Sequence, residues 1–515
     1  MSHSATRRGF LRAAAAGGAL AGLADLGFIS KLRPVGAAEA KLDPGKVQFA
    51  GGIEPLVRLL EETPREQLLE QVAGKIHSGT KYQEILAALQ LAGIRNVEPR
   101  PQVGFKFHAV LVVNSAHLAS LSSPDEHRWL PIFWALDHFK ESQAQDAREN
   151  RDAGKPDWTM QAVNESAMPP ADKAQAAFIE AMDAWDEGKA DVAAAALARS
   201  ADRQAIFNLF SRYGSRDFRS IGHKAIYVAN AWRTLEAIGW QHAEPVLRSL
   251  AYALLMHEDG NPAKLDLPAD RPGRDNAERI TKIRDGWQQG EIDSRATGDL
   301  LKTLHDGSPS ECCEQVIEML NRKVAPQSIW DALFVGAGEL LARQPGIVGL
   351  HAVTSTNALH YAFNANSEDR NRRLLLLQNA AFLSMFHSAM QGRGKVADTK
   401  LVELEPAPLA ATGDEAVKEI LADVKPDPMA AARKTLNYAT QHTDPKPLID
   451  AARLLVFLKG NDAHDYKFSS AVLEDYQHVS PEWRPRFLAS SMFNLNGSTE
   501  PDNQLVAKTR AALGA

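Results

Sequence analysis

The sequence predicts an all-α protein, one large multi-helix domain of packed antiparallel helix pairs, on three observations. Apolar residues recur at i, i+3, i+4 and i+7 from Ile53 onward, as in Leu56 and Val57 with Leu59 and Leu60, Ile85 and Leu86 with Leu89, and Val246 and Leu247 with Leu250 and Leu254. Helix start signals stand ahead of such runs: Thr63-Pro64, Ser308-Pro309 with Glu311 at capping-box spacing, and Ser480-Pro481-Glu482. Strand-like alternation is scarce. About fifteen to eighteen helices with short connections are expected. No fixed period of about 30 to 45 residues recurs, which disfavours a regular solenoid.

The first element is not part of that domain. Thr6-Arg7-Arg8-Gly9-Phe10-Leu11-Arg12, a weakly apolar run from Ala13 to Ala24 and the small-x-small site Ala38-Glu39-Ala40 together resemble a twin-arginine export signal. The resemblance implies passage through the twin-arginine translocase and a periplasmic or extracellular destination. Cleavage after residue 40 removes five basic and two acidic residues from a chain of net charge −6, leaving −9. That balance argues against a diffuse basic surface for nucleic acid. No later stretch reaches the roughly 18 uncharged residues of a membrane span, so no transmembrane segment is expected in the mature chain.

The main domain is expected over residues 41–395. Within it, the polar, proline-containing stretches 143–172 and 258–275 are expected as loops or excursions. A Pro-rich linker or excursion follows over 396–429, and a C-terminal helical subdomain over 430–515.

The chemistry lies in the histidines, sixteen of them beside two cysteines, Cys312 and Cys313. Two thiols exclude a disulfide framework, an all-cysteine zinc site and an all-cysteine iron–sulfur cluster. Their adjacency favours reduced cysteines on a helix over a strained vicinal disulfide. Four histidines, His108, His223, His257 and His351, sit within or at the end of apolar, helical segments. One histidine on an apolar helix face is more often a hydrogen-bonded core residue than a ligand. Four in similar settings, projecting from separate helices into one core, are how a helical bundle holds iron or zinc.

The reserve ligands are His117, His242, His360 and His387. His117 follows His108 by nine residues and His360 follows His351 by the same interval. Nine residues turn a helix through about 900°, so each pair points to opposite faces. Asp259 joins only if its helix ends at His257. His138 reads as an outer-sphere or surface residue. His3, His77, His127, His305, His442, His464 and His478 lie in polar or terminal settings and read as solvated.

Three of these segments resemble the questin oxidase-like family. Gly222-His223-Lys224-Ala225-Ile226 is similar to that family's histidine-led helix start, and Ser249 to His257 to its following helix with a closing histidine. His351-Ala352-Val353-Thr354 is similar to its His-x-Val-Thr signature. The resemblance implies oxygenase-type oxidation of an organic, aromatic substrate. It implies a non-haem iron, or another divalent transition metal, on His108, His223, His257 and His351, completed by a carboxylated lysine. Lys395 and Lys400 lie in the region where that lysine is expected, with His387 as the alternative. An export signal departs from the family's cytosolic pathway enzymes. The rival expectation is an exported helical scaffold or ligand-binding protein whose histidines are satisfied in the core.

Overall fold

A computed structural model describes residues 45–514, apart from 50–51, 100–102, 256–260, 262–264, 443 and 461. The export-type segment 1–40 and His3, His257 and Asp259 lie outside the described residues.

The described chain is all-α, with 23 α-helices, no strand, and two isolated bridges, Lys46 with Gln161 and Glu291 with Val324. The surplus over the expected helix number comes from breaks inside apolar runs. Val112 separates His108–Leu111 from Val113–Ser122. Trp185, in the left-handed region at φ 60°, ends Ala174–Ala184, and Asp186 then caps Glu187–Ser200 through the Lys189 amide. The Ser308–Glu311 capping box forms as expected, with Pro309 at the first helical position.

The stretch from residue 143 differs in part from expectation. Helix Leu130–Asp152 occupies its first ten residues, because polar residues there find partners on and beside the helix, and from residue 153 to 172 the chain is irregular apart from short turns, as expected. Gln145 donates to Glu149, Asn150 donates to Asp146, and the buried Lys106 ammonium bridges Asp146 and Glu149 at 2.8 and 2.7 Å. Part of 258–275 is also helical, over Arg271–Arg279, with Pro272 in its first turn where a missing N–H costs nothing.

Consecutive helices pack in pairs, among them Ala174–Ala184 with Glu187–Ser200, and Pro326–Arg343 with Ile347–Ala365 and Asp369–Gln391. Ile347–Ala365 is the central element. It is buried nearly all round, as its lack of a polar face requires. It packs against His223–Ile238, Pro326–Arg343, Asp369–Gln391 and the later helix Ala463–Asp475. Ala352, Ser355, Thr356 and Ala358 keep its flanks narrow enough for these neighbours to approach. The Ala463–Asp475 helix also packs on Val113–Ser122. Cys312 and Cys313 are buried free thiols on Pro309–Asn321, both pushed up to about 12 by burial. No described helix is long and apolar enough to cross a membrane.

Candidate metal centre

His108, His223 and His351 come from three separated parts of the chain and meet in the core. The Nε2 atoms of His223 and His108 are 3.1 Å apart, and those of His223 and His351 are 2.9 Å apart. None of the three residues is more than 5% exposed.

Local sequence aims each ring. Gly104 at φ 124° and Phe105 at φ 44° bend the chain into the short turn Phe105–Phe107, and His108 opens the next helix. Ile221 at φ 41° and Gly222 at φ 82° turn it again, and His223 opens the helix to Ile238. A Cβ on Gly222 would lie 1.8 Å from Ser355 Oγ, so only glycine lets this helix start press on the His351 helix. A Cβ on Gly104 would lie 2.8 Å from His223 Nε2, on the face where the rings converge.

Backbone carbonyls then fix the tautomers. The Nδ1 atoms of His108, His223 and His351 lie 2.6, 2.7 and 2.5 Å from the carbonyl oxygens of Phe105, Ser220 and Ile347. A carbonyl only accepts, so each Nδ1 carries the proton and donates it. Each Nε2 is left with a lone pair, and that of His223 faces those of His108 and His351. Protonation does not relieve the crowding, because burial first, and then the charge of Lys467, holds all three imidazoles well below their ordinary pKa.

The helix Ala463–Asp475 supplies two further groups. Lys467, 2% exposed, places Nζ 3.0 Å from His108 Nε2 and 3.2 Å from His351 Nε2. Burial lowers its ammonium to about 7, so the neutral amine is a substantial species at neutral pH. His464 sits one turn before it on the same helix face. Its ring stands 4.7 Å from that of His108 and 5.2 Å from that of His351. Ligand atoms of His108, His351 and His464 lie within 4.8 Å of one another. The carboxylate of Asp462, the helix N-cap, is 2.5 Å from His464 Nδ1, while His464 Nε2 is buried without a hydrogen-bond partner among the described residues. A carboxylate on one imidazole nitrogen, with the other left without a partner, is the arrangement that orients metal-ligating histidines.

The residues present fit a transition metal. Ligands about 2.1 Å from an ion are about 3.0 Å apart at right angles and about 3.4 Å apart at the tetrahedral angle. The observed 2.9 and 3.1 Å are separations that imidazoles sharing one ion would have.

The other expected residues lie elsewhere. His117 Nδ1 is 3.0 Å from the Tyr82 hydroxyl, because the break at Val112 and the turns after it carry that ring away. His242 is buried in the turn Trp240–His242. His360 faces away from His351, as the nine-residue spacing requires, and meets Asp475 and His478. His387 takes a bond from Arg343 at 3.3 Å. Lys395 is exposed, and Lys400 pairs with Glu403 at 3.6 Å, so neither approaches the cluster through these contacts. His138 stacks on Trp134. Of the histidines read as solvated, two are otherwise: His464 joins the cluster, and His305 is buried between Glu339 and Asp398, whose carboxylates raise its pKa.

Residue order hid His464 and Lys467. Asn461-Asp462-Ala463-His464-Asp465-Tyr466-Lys467 is polar enough to pass for surface. The usable signal was an N-cap Asp followed by His and Lys at i, i+3 on one helix face.

Fold and site define a helical protein with four histidines and one lysine gathered in its core. No family model, curated protein or solved structure matches the chain.

Proposed function

We propose that the chain is an exported, metal-dependent oxidoreductase of oxygenase type acting on an organic, aromatic substrate. Its non-haem metal, iron by preference, would be held by His108, His223, His351 and His464, with Lys467 completing the set. The observation that carries this reading is the convergence of three unprotonated Nε2 atoms within 2.9–3.1 Å steps. Lone pairs so placed repel, and a cation turns that repulsion into coordination.

A metal bound here supplies redox and Lewis-acid chemistry at its open positions. The chain's own contributions are distinct. The Phe105, Ser220 and Ile347 carbonyls hold protons on Nδ1 and so keep Nε2 as the ligand atom. The Asp462 carboxylate does the same for His464. Burial of His108, His223 and His351, each no more than 5% exposed, shields the cluster from bulk water.

In place of the expected Lys395 or Lys400, Lys467 would take the part of the carboxylated lysine that the resemblance implies. Its neutral amine adds to carbon dioxide, forming an N–C bond and releasing one proton, and the resulting carboxylate is an anionic oxygen ligand. The lowered Lys467 pKa supports this, since only the unprotonated amine reacts.

One observation favours a second reading. Lys467 Nζ lies within hydrogen-bond reach of both His108 and His351, so an ammonium there satisfies two of the three lone pairs without metal. On that reading the protein is an exported helical scaffold or ligand-binding protein. Metal analysis of protein folded in the cytoplasm separates the two. The oxidoreductase reading expects about one tightly held transition metal at this cluster, lost in His223→Ala and His351→Ala. Less than about a tenth of an equivalent, unchanged in those variants, overturns it.

A further inference from the structure

The nine residues from His351 to His360 carry the same helix to a second group of ligand-type side chains about 13 Å away. His360, Asp475 and His478 offer ligand atoms that all lie within 4.8 Å of one another. Two of the four helices of the first cluster contribute here too. Ile347–Ala365 carries His351 and His360, and Ala463–Asp475 carries His464, Lys467 and Asp475.

Asp475 makes the case more than a chance grouping. It is 1% exposed; one carboxylate oxygen accepts from Asn357 Nδ2 at 2.8 Å, while Oδ2 is buried without a hydrogen-bond partner among the described residues. A buried carboxylate oxygen left so is costly unless a proton or a cation meets it. The neighbouring Glu474 is taken up by Arg233 at 2.6 Å, so that guanidinium is already engaged. Asn364 Nδ2 donates to His360 Nε2 at 3.0 Å, which marks a lone pair on that nitrogen. The edges of Trp330 and Phe334 hold the His360 ring, and the exposed His478 ring closes from outside at 4.9 Å between centroids.

We propose that His360, Asp475 and His478 form a second divalent-metal site, of the two-histidine, one-carboxylate kind that takes zinc. Its fourth position faces solvent beside His478. A metal there ties the His351 helix to the turn Tyr476–His478 and so fastens the helix that presents His464 and Lys467. This site does not depend on the proposed activity.

The test is zinc titration of the full-length chain after chelator stripping, in competition with a chromophoric chelator. The wild-type chain is expected to bind two zinc ions. His360→Ala, Asp475→Asn and His478→Ala should each weaken one of them by at least about tenfold and leave the other. His351→Ala should do the reverse. His478 is exposed, so its variant reads the site even if the buried changes impair folding. A single wild-type ion lost in His478→Ala supports this site and sinks the first cluster. A single ion lost in His351→Ala, or zinc binding unchanged in both Asp475→Asn and His478→Ala, overturns the proposal.

Discussion

The Nε2 atoms of His223 and His351 lie 2.9 Å apart, and each ring donates its Nδ1 proton to a backbone carbonyl. Two neutral imidazoles in contact ordinarily share one N–H between them. Here neither has one to share at that contact, and a positively charged partner would relieve it. The Lys467 ammonium, beside His108 and His351, and the proposed metal would make different demands on the rest of the site.

If the amine of Lys467 becomes a carbamate, Lys467→Arg keeps a cation in place and removes the chemistry. Metal-loaded wild-type protein supplied with carbon-13 bicarbonate should show a carbamate carbon resonance. Lys467→Arg should lack it and hold metal at least about tenfold more weakly. Equal metal affinity in the two proteins, with no carbamate signal in either, would show that Lys467 is not a ligand.

Asp462 acts through His464. Asp462→Asn leaves the helix cap largely intact, since Asn caps as well as Asp, yet it removes the charge that polarises the ring. Metal affinity should fall by about 10- to 100-fold with little change in thermal stability. A matching loss of stability with unchanged affinity would make Asp462 a cap alone.

The buried imidazoles set a pH dependence in the metal-free protein. His351 stays neutral well below its ordinary value in the fold, whereas the unfolded chain takes up a proton near about 6.5. The unfolded state therefore binds more protons below that point, and stability falls as pH falls. Replacing His351 by Gln removes one such proton. The slope of unfolding free energy between about pH 5 and about pH 6 should flatten by about 1 kcal/mol per pH unit, measured by urea unfolding. An unchanged slope would mean that His351 is protonated in the fold.

Gly222 is held by two independent constraints, its φ of 82° and the Ser355 hydroxyl in the place of a Cβ. Gly222→Ala should cost about 1–3 kcal/mol and displace His223. Adding Ser355→Ala should recover only part, because the backbone strain remains. Full recovery in the double variant would leave the steric contact as the whole cause.

Periodic apolar spacing made the all-α fold legible, and the Ser308–Glu311 box and the opposed faces of His351 and His360 followed from helix geometry alone. His108, His223 and His351 were legible for the same reason, being imidazoles on apolar helix starts. The polar stretch after residue 143 misled because its helix is held by partners, such as Lys106 on Asp146, that residue order does not reveal. His464 and Lys467 were hidden by the opposite effect: a polar segment buried because its polar groups answer one another and the cluster. A lysine about 120 residues beyond its nearest histidine partner in sequence carries no local sign of that contact.

The most direct test of the central claim is anomalous diffraction at the iron edge from crystals of protein that has folded with iron supplied. Iron held by this cluster gives a peak within about 2.2 Å of the Nε2 atoms of His108, His223 and His351. Absence of a peak there, with an unmodified Lys467 bridging His108 and His351 in the electron density, would contradict it.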